Sequence, residues 1–525
     1  MTSMAGARRT IGILVERAAM SGFVLALHRY LIAQVHCQVV VVLTDGPDVR
    51  GTALSTLLQL EKLVLHKGRA CWADAADLGN LPVVALEDLR HCDVVIDLCA
   101  EEAGSLAVPR LQPLFNGHAG EMALASALFF DGTPEISVME RREGKEPRMV
   151  AQGCASLEAA AGIGGGMEAV WSRLILLLDK ALSLHAGAPG NDGKIGFPTC
   201  PLSVITKKHV ALRSLRMIAH SAAYAAYRLC CHAPHWRIGW RFADTQNDVW
   251  ARRNLGGAPW SILPSPINRF LADPFPIRHG GRDYLFFEEL PHATQKGIIS
   301  YCLIDEAGNP GPITPVLEEP WHLSYPFLIE EDGQIFMIPE ASLSGCIPLY
   351  RAVRFPDQWE LFATLVSDVE AADATVIRHQ GRLWMFAVTR QAIGGYSDTL
   401  AIWSADRLTG PWTEHRYNPV LIDDRLSRPA GNMVIRNGTL YRPVQEARCG
   451  YGTALNLMRI DRLDDEGFEQ VPETHLRAVS PVWPGRKLHT LSGNGYIEAI
   501  DGSVIQPKSA TISRLLEKRL SPRSV

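Results

Sequence analysis

Short apolar runs separated by segments of helix length dominate the first 185 residues. The runs are rich in β-branched residues and lie at 10–16, 37–43 and 92–98. Segments 21–34 and 52–66 have the length of helices, and 171–184 is amphipathic, as a closing helix would be. Near-continuous apolar strands that alternate with helices are typical of a parallel sheet covered on both faces. The pattern therefore predicts a Rossmann-like α/β domain over 1–185.

The next fifty residues have the composition of a linker followed by a helix. Residues 186–200 are rich in Gly, Pro, Asn and Asp, and a helical segment follows at 208–231 with Arg213, Arg216 and Arg228. We expect this helix, within a connecting region over 186–235, to pack between domains, and the alternative is contact with an anionic membrane. The glycine cluster at 162–166 does not follow a predicted strand, so we interpret it as a loop and not as a dinucleotide site.

From residue 236 the pattern changes to repeated hairpins. Each repeat has an apolar strand, a two-residue turn that ends in Gly, and a second strand with aromatic residues. Asp332-Gly333 and Asn437-Gly438 are strong type I′ turn signals. The repeats begin at 273, 325, 373 and 430, and a degenerate fifth covers 488–502. Hairpins about 50 residues apart, with space for two more strands each, are typical of propeller blades. We predict an all-β five-bladed β-propeller over 236–505 and a basic tail over 506–525.

The hairpin register brings acidic residues together. Residues equidistant from a two-residue turn face each other, which predicts the pairs Asp273–Glu288 and Tyr325–Glu340. Inner propeller strands run along a central channel, so Asp273, Glu340 and Asp373 are expected at one mouth. Crowding raises the pKa of some of these carboxyl groups, as general acid–base catalysis requires. One carboxylate at a strand end is commonly a turn cap or a solvated charge, but acids in three blades favour the catalytic interpretation.

These hairpin motifs resemble one propeller family. The motifs are DPFPIRHGGRDYLFFEE at 273–289, YPFLIEEDGQIFMIPE at 325–340 and the segment at 428–446 that ends in LYRPVQE. They look like the domain at the N-terminal end of plant glucosamine inositolphosphorylceramide transferases and of related bacterial proteins. That domain is itself similar to five-bladed glycosidases of the arabinanase, xylosidase and fructosidase type. The resemblance covers about 236–505 and is more specific for fold than for function.

The glycosidase resemblance implies roles for individual residues. Asp273 matches the base or nucleophile that opens the first blade, and Asp373 fills the third-blade position of the acid, which is usually Glu. Tyr325 replaces the second-blade Asp that tunes the acid, and Glu340 can restore the missing carboxylate. His489 resembles the last-blade histidine directed into the channel, although a core histidine is an equal alternative.

Further residues are candidates for substrate binding. Trp321 and Tyr325 are expected to position a sugar ring, whereas Arg428 and Arg442 either bind an anionic sugar or phosphate or neutralise the carboxylates. The full set of expected substrate contacts is Glu288, Tyr325, Trp321, Arg428, Arg442, Gln445 and His489. No ligand spacing predicts a metal.

The N-terminal domain resembles the N-terminal half of folate-dependent formyltransferases. The likeness lies in the strand order, in CDVVIDL at 92–98 and in LFNGHAGEMALASALFFDGTPEISVMERR at 114–142. Those enzymes use an Asn-x-His pair, which Asn116 and His118 match, but the family's following SLLP and Arg-Gly signature is absent. We interpret the domain as a degenerate relative, in which a folate derivative is expected only if transfer chemistry is retained; no other cofactor is expected.

Composition narrows the functional classes. A chain of 525 residues with 47% hydrophobic and 21% charged residues is globular, with two or three domains. The net charge of −4 provides no general basic field for nucleic acid. Eleven cysteines without metal spacing predict reduced thiols. The N-terminal apolar run is too short for a signal peptide, and no stretch approaches 18 uncharged apolar residues, so we expect a cytoplasmic protein with no transmembrane segment.

Three functions follow from these observations. The leading hypothesis is a carbohydrate-active protein with glycosidase- or glycosyltransfer-like chemistry on a glycan or glycoconjugate of cell-surface polysaccharide or glycolipid metabolism. The second is a non-catalytic glycan-binding or scaffold protein, which the Tyr325 replacement favours. The third is a formyl or acyl transferase that acts on an amino sugar. The oligomeric state is left open.

Overall fold

The computed structural model describes residues 9–34, 37–45, 51–77, 79, 81–101, 106–185, 202–391, 393–479, 482–483 and 485–513. The chain divides into two compact units. The first comprises Met1–Ile218 with Gln391–Gly395, and the second Ala219–Arg390 with Tyr396–Val525. The Gly- and Pro-rich linker predicted at 186–200 and the end of the basic tail, at 514–525, lie outside the described residues.

The first unit contains one seven-stranded sheet with helices. Its strands are β1 (Thr10–Glu16), β2 (Gln38–Thr44), β3 (Val94–Asp97), β4 (Arg110–Phe115), β5 (His118–Ala119), β6 (Glu135–Arg141) and β7 (Arg148–Cys154). Its helices are α1 (Gly22–Gln34), α2 (Gly51–Val64), α3 (Glu121–Phe130) and α4 (Gly162–His185), with 3₁₀ turns at Arg17–Ala19 and Leu86–His91. Helix α5 (Lys207–Cys230) begins in this unit and continues into the second.

The sheet is mixed and not fully parallel. Its order is β2-β1-β3-β4-β6-β7, and β5 pairs with β4. Strands β1 to β4 pair in parallel, as the buried apolar runs predict, whereas the pairs β4-β6 and β6-β7 are antiparallel. The Rossmann-like and formyltransferase-like expectations therefore hold only as far as a sheet with helices, and the finer fold assignment stays a prediction.

The glycine cluster forms the first turn of a long helix, so the loop interpretation is wrong. Helix α4 begins at Gly162. The buried carboxylate of Glu61 accepts the N–H of Gly164 at 2.9 Å through Oε2. A carboxylate in this place satisfies an N–H that has no partner within the helix, and it interacts favourably with the positive end of the helix dipole.

The second unit consists mainly of antiparallel strands. They are β8 (Cys231–His232), β9 (Trp236–Phe242), β10 (Ser261–Ile262), β11 (Arg269–His279), β12 (Arg282–Pro291), β13 (Ile298–Ile304), β14 (Thr314–Leu317), β15 (Ser324–Glu331), β16 (Gln334–Glu340), β17 (Cys346–Arg354), β18 (Gln358–Ser367), β19 (Ala371–His379), β20 (Arg382–Thr389), β21 (Thr399–Ala405), β22 (Thr413–Glu414), β23 (Leu421–Ile422), β24 (Val434–Arg436), β25 (Thr439–Glu446), β26 (Ala454–Asp464), β27 (Gly467–Arg477), β28 (Leu491–Gly493), β29 (Ile497–Ser503) and β30 (Gln506–Pro507). Short helices lie at Val249–Arg252 (α6) and Ser342–Ser344 (3₁₀).

These strands form a five-bladed β-propeller, as the repeats predict. In the described residues the blades are β11-β12-β13-β14, β15-β16-β17-β18, β19-β20-β21-β22 with β23 on β21, β24-β25-β26-β27, and β28-β29-β9-β10. We number them one to five in that order. Blade five joins the two ends of the propeller sequence, because β29 pairs with β9 from Ile497↔Phe242 to Ser503↔Trp236. A separate two-stranded ribbon joins β30 to β8.

Helix α5 is buried at Val210 and exposed at Leu215 and Ile218. The expectation that it packs between domains stays a prediction. No helix in the described part of the chain is long and apolar enough to cross a bilayer.

Candidate functional site

A β-bulge occurs at the start of each of the first three blades. In blade one the register is Ala272↔Glu288 and then Phe275↔Phe286, so two residues oppose one. Blades two and three repeat this between Ser324 and Phe327 and between Ala372 and Thr375. The predicted pairs Asp273–Glu288 and Tyr325–Glu340 are therefore wrong by one residue, because a plain two-residue hairpin register ignores the extra residue of a bulge.

The first bulge residue has the same unusual backbone in all three blades. Asp273, Tyr325 and Asp373 have φ values of 50°, 44° and 57°. Asp tolerates this left-handed conformation better than most residues, whereas a bulky side chain such as Tyr rarely adopts it. Bulges of this type redirect a side chain and are frequent beside functional sites.

Two of these residues and their neighbours form an acidic cluster, which we define as Asp273, Glu288, Glu340, Asp373 and Asp501. All but Glu340 are buried, and the Glu340 side chain is 12% exposed. The carboxyl groups of Asp373, Glu288 and Asp501 all act electrostatically on Asp273. The structure thus brings Asp273, Glu340 and Asp373 together, as predicted from their blade positions.

Asp373 and Glu340 share one cation. Asp373 hydrogen-bonds Glu340, and Arg428 donates from Nε to Asp373 Oδ2 at 2.6 Å. Arg428 Nη2 lies 3.7 Å from Glu340 Oε2, and Gln445 Nε2 donates to Asp373 Oδ2 at 3.3 Å. Burial raises the pKa of Asp373 to about 7; the Arg428 charge opposes the shift and Glu340 adds to it. The Asp373 carboxyl group therefore retains its proton up to about neutral pH.

Asp273 is joined to Asp501 through His489. His489 Nδ1 lies 2.6 Å from Asp501 Oδ1, and its Nε2 lies 3.5 Å from Asp273 Oδ1. The Thr490 hydroxyl donates to Asp273 Oδ1 at 2.7 Å, while the Asp273 backbone N–H donates to Asp501 Oδ2 at 2.9 Å. Asp501 therefore fixes both the histidine ring and the backbone of Asp273.

The contacts among Asp273, His489 and Asp501 shift the pKa values of His489 and Asp273. Burial lowers the pKa of His489, but the charges of Asp501 and Asp273 outweigh it and raise the value to about 9. Burial raises the pKa of Asp273 to about 7, with His489 opposing and the other carboxylates adding. At neutral pH His489 is thus a cation, and Asp273 is close to its midpoint.

Glu288 has a histidine of its own. His322 Nε2 lies 3.3 Å from Glu288 Oε1, and its Nδ1 accepts the N–H of Gly297 at 2.9 Å. Burial lowers the pKa of His322, but Glu288, Glu340 and Asp273 outweigh it and raise the value. Because Nδ1 accepts a backbone hydrogen bond, the proton of the neutral ring is on Nε2, where it faces Glu288.

Two aromatic rings, Trp236 and Tyr451, contact the cationic side chains of His489 and Arg428. Trp236 stacks on His489 with ring centroids 4.1 Å apart, and Tyr451 approaches the same ring edge-on at 5.3 Å. The Arg428 guanidinium lies 5.0 Å from the centroid of the Tyr451 ring. Tyr451 is partly exposed, and burial followed by the nearby carboxylates raises its pKa. Its ring is thus placed where it can contact both the acidic cluster and a ligand.

Two predicted substrate contacts are bonded to other groups of the protein. Tyr325 is fully buried; its hydroxyl lies 2.8 Å from Thr375 Oγ1 and accepts the N–H of Gly431 at 2.7 Å. Arg442 is also buried, and its guanidinium donates to the carbonyl groups of Leu426 and Ser427 and to Gln470 Oε1 at 2.6, 3.1 and 2.7 Å. These bonds give both side chains a structural role, and their role as substrate contacts stays a prediction.

Trp321 and Gln445 each keep one unsatisfied polar atom. Trp321 is half-buried against the core of blades one to three, and Gln445 is buried beside Asp373. Within the described residues, Trp321 Nε1 and Gln445 Oε1 have no hydrogen-bond partner. The role of both as substrate contacts stays a prediction.

Sequence reasoning missed His322, Tyr451 and Asp501. The first two lie between hairpins, where repeat alignment gives no position. Asp501 lies in the second strand of the fifth hairpin, in which Gly493 pairs with Glu498, so four residues and not two form its loop. The longer loop displaces the register that a two-residue turn predicts.

Three members of this region have the spacing of a metal site. Asp273, His489 and Asp501 each place a ligand atom within 4.8 Å of the others. The same atoms already form the hydrogen bonds between His489 and Asp501, so a metal ion would have to compete with the protons of this chain.

The proposed formyltransferase remnant forms a tight turn. Asn116 and Gly117 have positive φ values of 49° and 85°, and Phe115 pairs with His118 across them. Asn116 Oδ1 accepts the N–H of Glu135 at 3.0 Å. This geometry is that of a type I′ hairpin, so the Asn116 side chain stabilises a turn. A catalytic role for Asn116 and His118 stays a prediction.

Fold and site together define a five-bladed propeller with a buried acidic cluster at its blade starts. Comparison with known proteins shows that residues 259–502 match the family described as glucosamine inositolphosphorylceramide transferase 1, N-terminal. The enzyme of that name from Oryza sativa subsp. japonica is 31% identical over 258 residues, covering 46% of this chain and 34% of that protein. The one from Arabidopsis thaliana is 30% identical over 299 residues, covering 51% and 39%. The resemblance read from the hairpins is thus confirmed, and the chain spans little more than a third of the length of these curated relatives.

Solved structures of glycoside hydrolases are similar at lower identity. A family 117 enzyme from Zobellia galactanivorans is 11% identical with a TM-score of 0.32, covering 50% of this chain and 90% of that one. The GH43_1 enzyme from Xanthomonas citri complexed with xylotriose is 12% identical with a TM-score of 0.29, covering 41% and 75%.

Proposed function

We propose that the propeller is a carbohydrate-active module whose acidic cluster carries out acid–base chemistry on a glycan or glycoconjugate. The observation that carries this proposal is the pair Asp273 and Asp373, which come from different blades and both have a pKa of about 7. A general acid or base is most effective when its pKa lies near the working pH. The relatives are named glucosamine inositolphosphorylceramide transferases, and from those names we take a glycan or glycolipid as the substrate class.

Asp273 is the group that we assign as base or nucleophile. Its Oδ1 is held by the Thr490 hydroxyl and faces the His489 cation at 3.5 Å. A cation beside the carboxylate favours its charged form and opposes the effect of burial. Asp273 can then remove a proton from water or attack the anomeric carbon, while another carboxyl group of the cluster protonates the leaving oxygen of the substrate.

Glu340 is the better placed of the two candidate acids. Its side chain is 12% exposed, whereas that of Asp373 is 2% exposed and hydrogen-bonded by Arg428. Asp373 hydrogen-bonds Glu340, so its role in this proposal is to hold the Glu340 carboxyl group in place. Glu340 then delivers the proton to the leaving oxygen, in the manner of the acid of a glycosidase.

A non-catalytic glycan-binding protein is the second candidate. Arg428 neutralises Asp373, and Tyr325 stands at the bulge position that carries an acid in blades one and three. Both observations reduce the number of free carboxylates. In this case the cluster and the Tyr451 ring would bind a sugar without cleaving or transferring it.

Asp273→Asn is the experiment that separates the two. Asp283→Asn is the matched control, because it makes the same change in the same blade at the opposite end of the hairpin, beside Arg278. Turnover is measured on a panel of 4-nitrophenyl glycosides, and sugar binding by saturation-transfer NMR. An enzyme loses turnover by orders of magnitude in Asp273→Asn alone. A binding protein loses affinity but yields no product with any variant, and equal behaviour of the two variants would reject a role for Asp273.

Formyl transfer by the first unit, the oligomeric state and a cytoplasmic location stay predictions from the sequence. For formyl transfer the test is a variant that replaces both Asn116 and His118. Full formylation of an amino sugar by that variant would remove the hypothesis.

A further inference from the structure

The first half of helix α5 turns a row of apolar side chains toward solvent. Leu212, Leu215 and Ile218 are 45%, 64% and 67% exposed, and all three belong to the first unit. Residues three apart lie on one side of a helix, since each residue turns the helix by about 100°. The three side chains therefore form one continuous apolar row.

The opposite side of the helix is the one that packs. Val210 is buried, and Arg213 donates from Nη1 to the carbonyl oxygen of Phe129 at 3.3 Å with its guanidinium 4.9 Å from the ring centroid. His209 contacts Phe130 edge-on, with ring centroids 5.2 Å apart. The helix is thus anchored by the side that carries His209, Val210 and Arg213, whereas its leucine and isoleucine side chains are exposed, which is unusual for a surface helix.

Positive charge borders the row. On a helical projection Lys207 and Arg216 lie on opposite flanks of the row, and Lys208 lies one turn before Leu212. All three cations are exposed. No Asp or Glu occurs from Leu202 to Ala243. An apolar row between cations, without any acidic residue, is typical of helices that lie in the surface of a membrane.

We propose that the first half of α5 docks on an anionic lipid bilayer. Leu212, Leu215 and Ile218 insert below the headgroups, and the flanking cations contact lipid phosphates with their apolar stems along the acyl region. A second copy of this chain does not fit the same surface, because it would bring like charges together on both flanks. This inference does not depend on the proposed function of the propeller.

The test is co-sedimentation of the full chain with sucrose-loaded vesicles. Phosphatidylcholine vesicles with phosphatidylglycerol are compared with pure phosphatidylcholine vesicles. The test variant is Leu215→Glu/Ile218→Glu. Its matched control is Leu343→Glu/Val353→Glu, which replaces two apolar side chains of similar exposure, 70% and 62%, in the propeller. Since both pairs are exposed, neither variant should lose its fold, and circular dichroism verifies this.

The proposal predicts that the wild type binds the anionic vesicles. The test variant should bind them about tenfold or more weakly, and the control should bind them as the wild type does. Lys207→Gln/Lys208→Gln should weaken binding by about 25-fold, because each charge near an anionic surface is worth about 1 kcal/mol. Raising the salt from about 0.1 M to about 0.5 M should weaken it as well. Equal binding to neutral vesicles, equal loss in the control, or no binding to either vesicle would overturn the proposal. So would a dimer in sedimentation equilibrium that only the test variant dissociates, since a second copy would then cover the row.

Discussion

Arg428 offers a direct test of the electrostatics of the acidic cluster. Replacing it by Met keeps most of the side-chain volume and removes the charge. Asp373, at 2.6 Å from Nε, and Glu340, at 3.7 Å from Nη2, then lose their shared cation. Removing one partner of a buried ion pair leaves an uncompensated charge. We expect Arg428→Met to destabilise the propeller in a way that depends on pH.

The size of the effect follows from the proton on Asp373. Its pKa is about 7 in the folded protein and 3.8 when unperturbed, so its protonation favours the folded state at low pH, and this contribution is lost as the pH rises through 7. In the variant Asp373 keeps its proton to higher pH, and every further unit by which its pKa rises costs about 1.4 kcal/mol. At about pH 5.5 the loss is that of a charge-assisted hydrogen bond, about 2 kcal/mol. At about pH 8.5 it grows to about 4 kcal/mol.

Urea unfolding of wild type and variant at the two pH values measures this difference. Arg442→Met is the control, because the hydrogen bonds of Arg442 go to two backbone carbonyls and to Gln470, and none of these groups titrates in the range. The control should lose the same free energy of unfolding at both pH values. A loss for Arg428→Met that is equal at about pH 5.5 and about pH 8.5 would refute the inference that the Arg428 charge opposes protonation of Asp373.

Three further predictions concern buried groups outside this pair. Tyr325→Phe should lower the free energy of unfolding by about 1–3 kcal/mol, because it leaves the Gly431 N–H without an acceptor, and should leave sugar affinity unchanged. Burial, followed by nearby positive charges, lowers the pKa of His235 to about 3, so the free energy of unfolding of wild type falls as the pH drops below 6.5. Between about pH 6.5 and about pH 5, denaturant titrations should show that His235→Leu loses about 2 kcal/mol less of this free energy than wild type does. Glu498→Gln should cost about 3 kcal/mol, because Arg241, bonded to Glu498 at 2.6 Å in blade five, becomes an unpaired buried cation. Calorimetry that finds the Glu498→Gln propeller as stable as wild type would contradict this last prediction.

The propeller was predictable because its signal is local and repeated. A strand, a turn that ends in Gly and a second strand recur four times and are followed by a degenerate fifth hairpin, and each of the four needs only its own turn to be recognised. Acids at equivalent positions then had to meet, and Asp273 acts electrostatically on Asp373 in the structure. The outer strands β10 and β9, by contrast, complete blade five with residues from 236–262. No local sequence pattern predicts that β9, at the start of the propeller sequence, pairs with β29 at its end.

The side-chain environment could not be predicted from the pattern. Tyr325 and Arg442 look like sugar and phosphate ligands by residue type, but burial decides their roles, and burial depends on neighbouring blades. His322 and Tyr451 lie near the cluster in segments outside the hairpin alignment, and Asp501 belongs to the fifth hairpin, whose longer loop displaces the predicted register. In the first unit the sheet is mixed because β4 and β6 pair antiparallel. Strand direction follows from the connection between two strands and not from their apolar content.

The bulge explains why the second blade has a tyrosine without losing its place in the site. A left-handed φ at a bulky residue costs about 1–3 kcal/mol, and it persists only where surrounding contacts determine it. For Tyr325 those contacts are the hydroxyl bonds to Thr375 and Gly431, which tie blade two to blades three and four. A carboxylate at this position would be buried beside Asp373, which already needs Arg428 for compensation. Tyr325 therefore supplies the backbone geometry and the links between blades without a further charge, and the acid of blade two comes from Glu340 on the neighbouring strand. The acid–base function that we propose thus depends on the second strand of that hairpin, and on the hydrogen bond between Glu340 and Asp373.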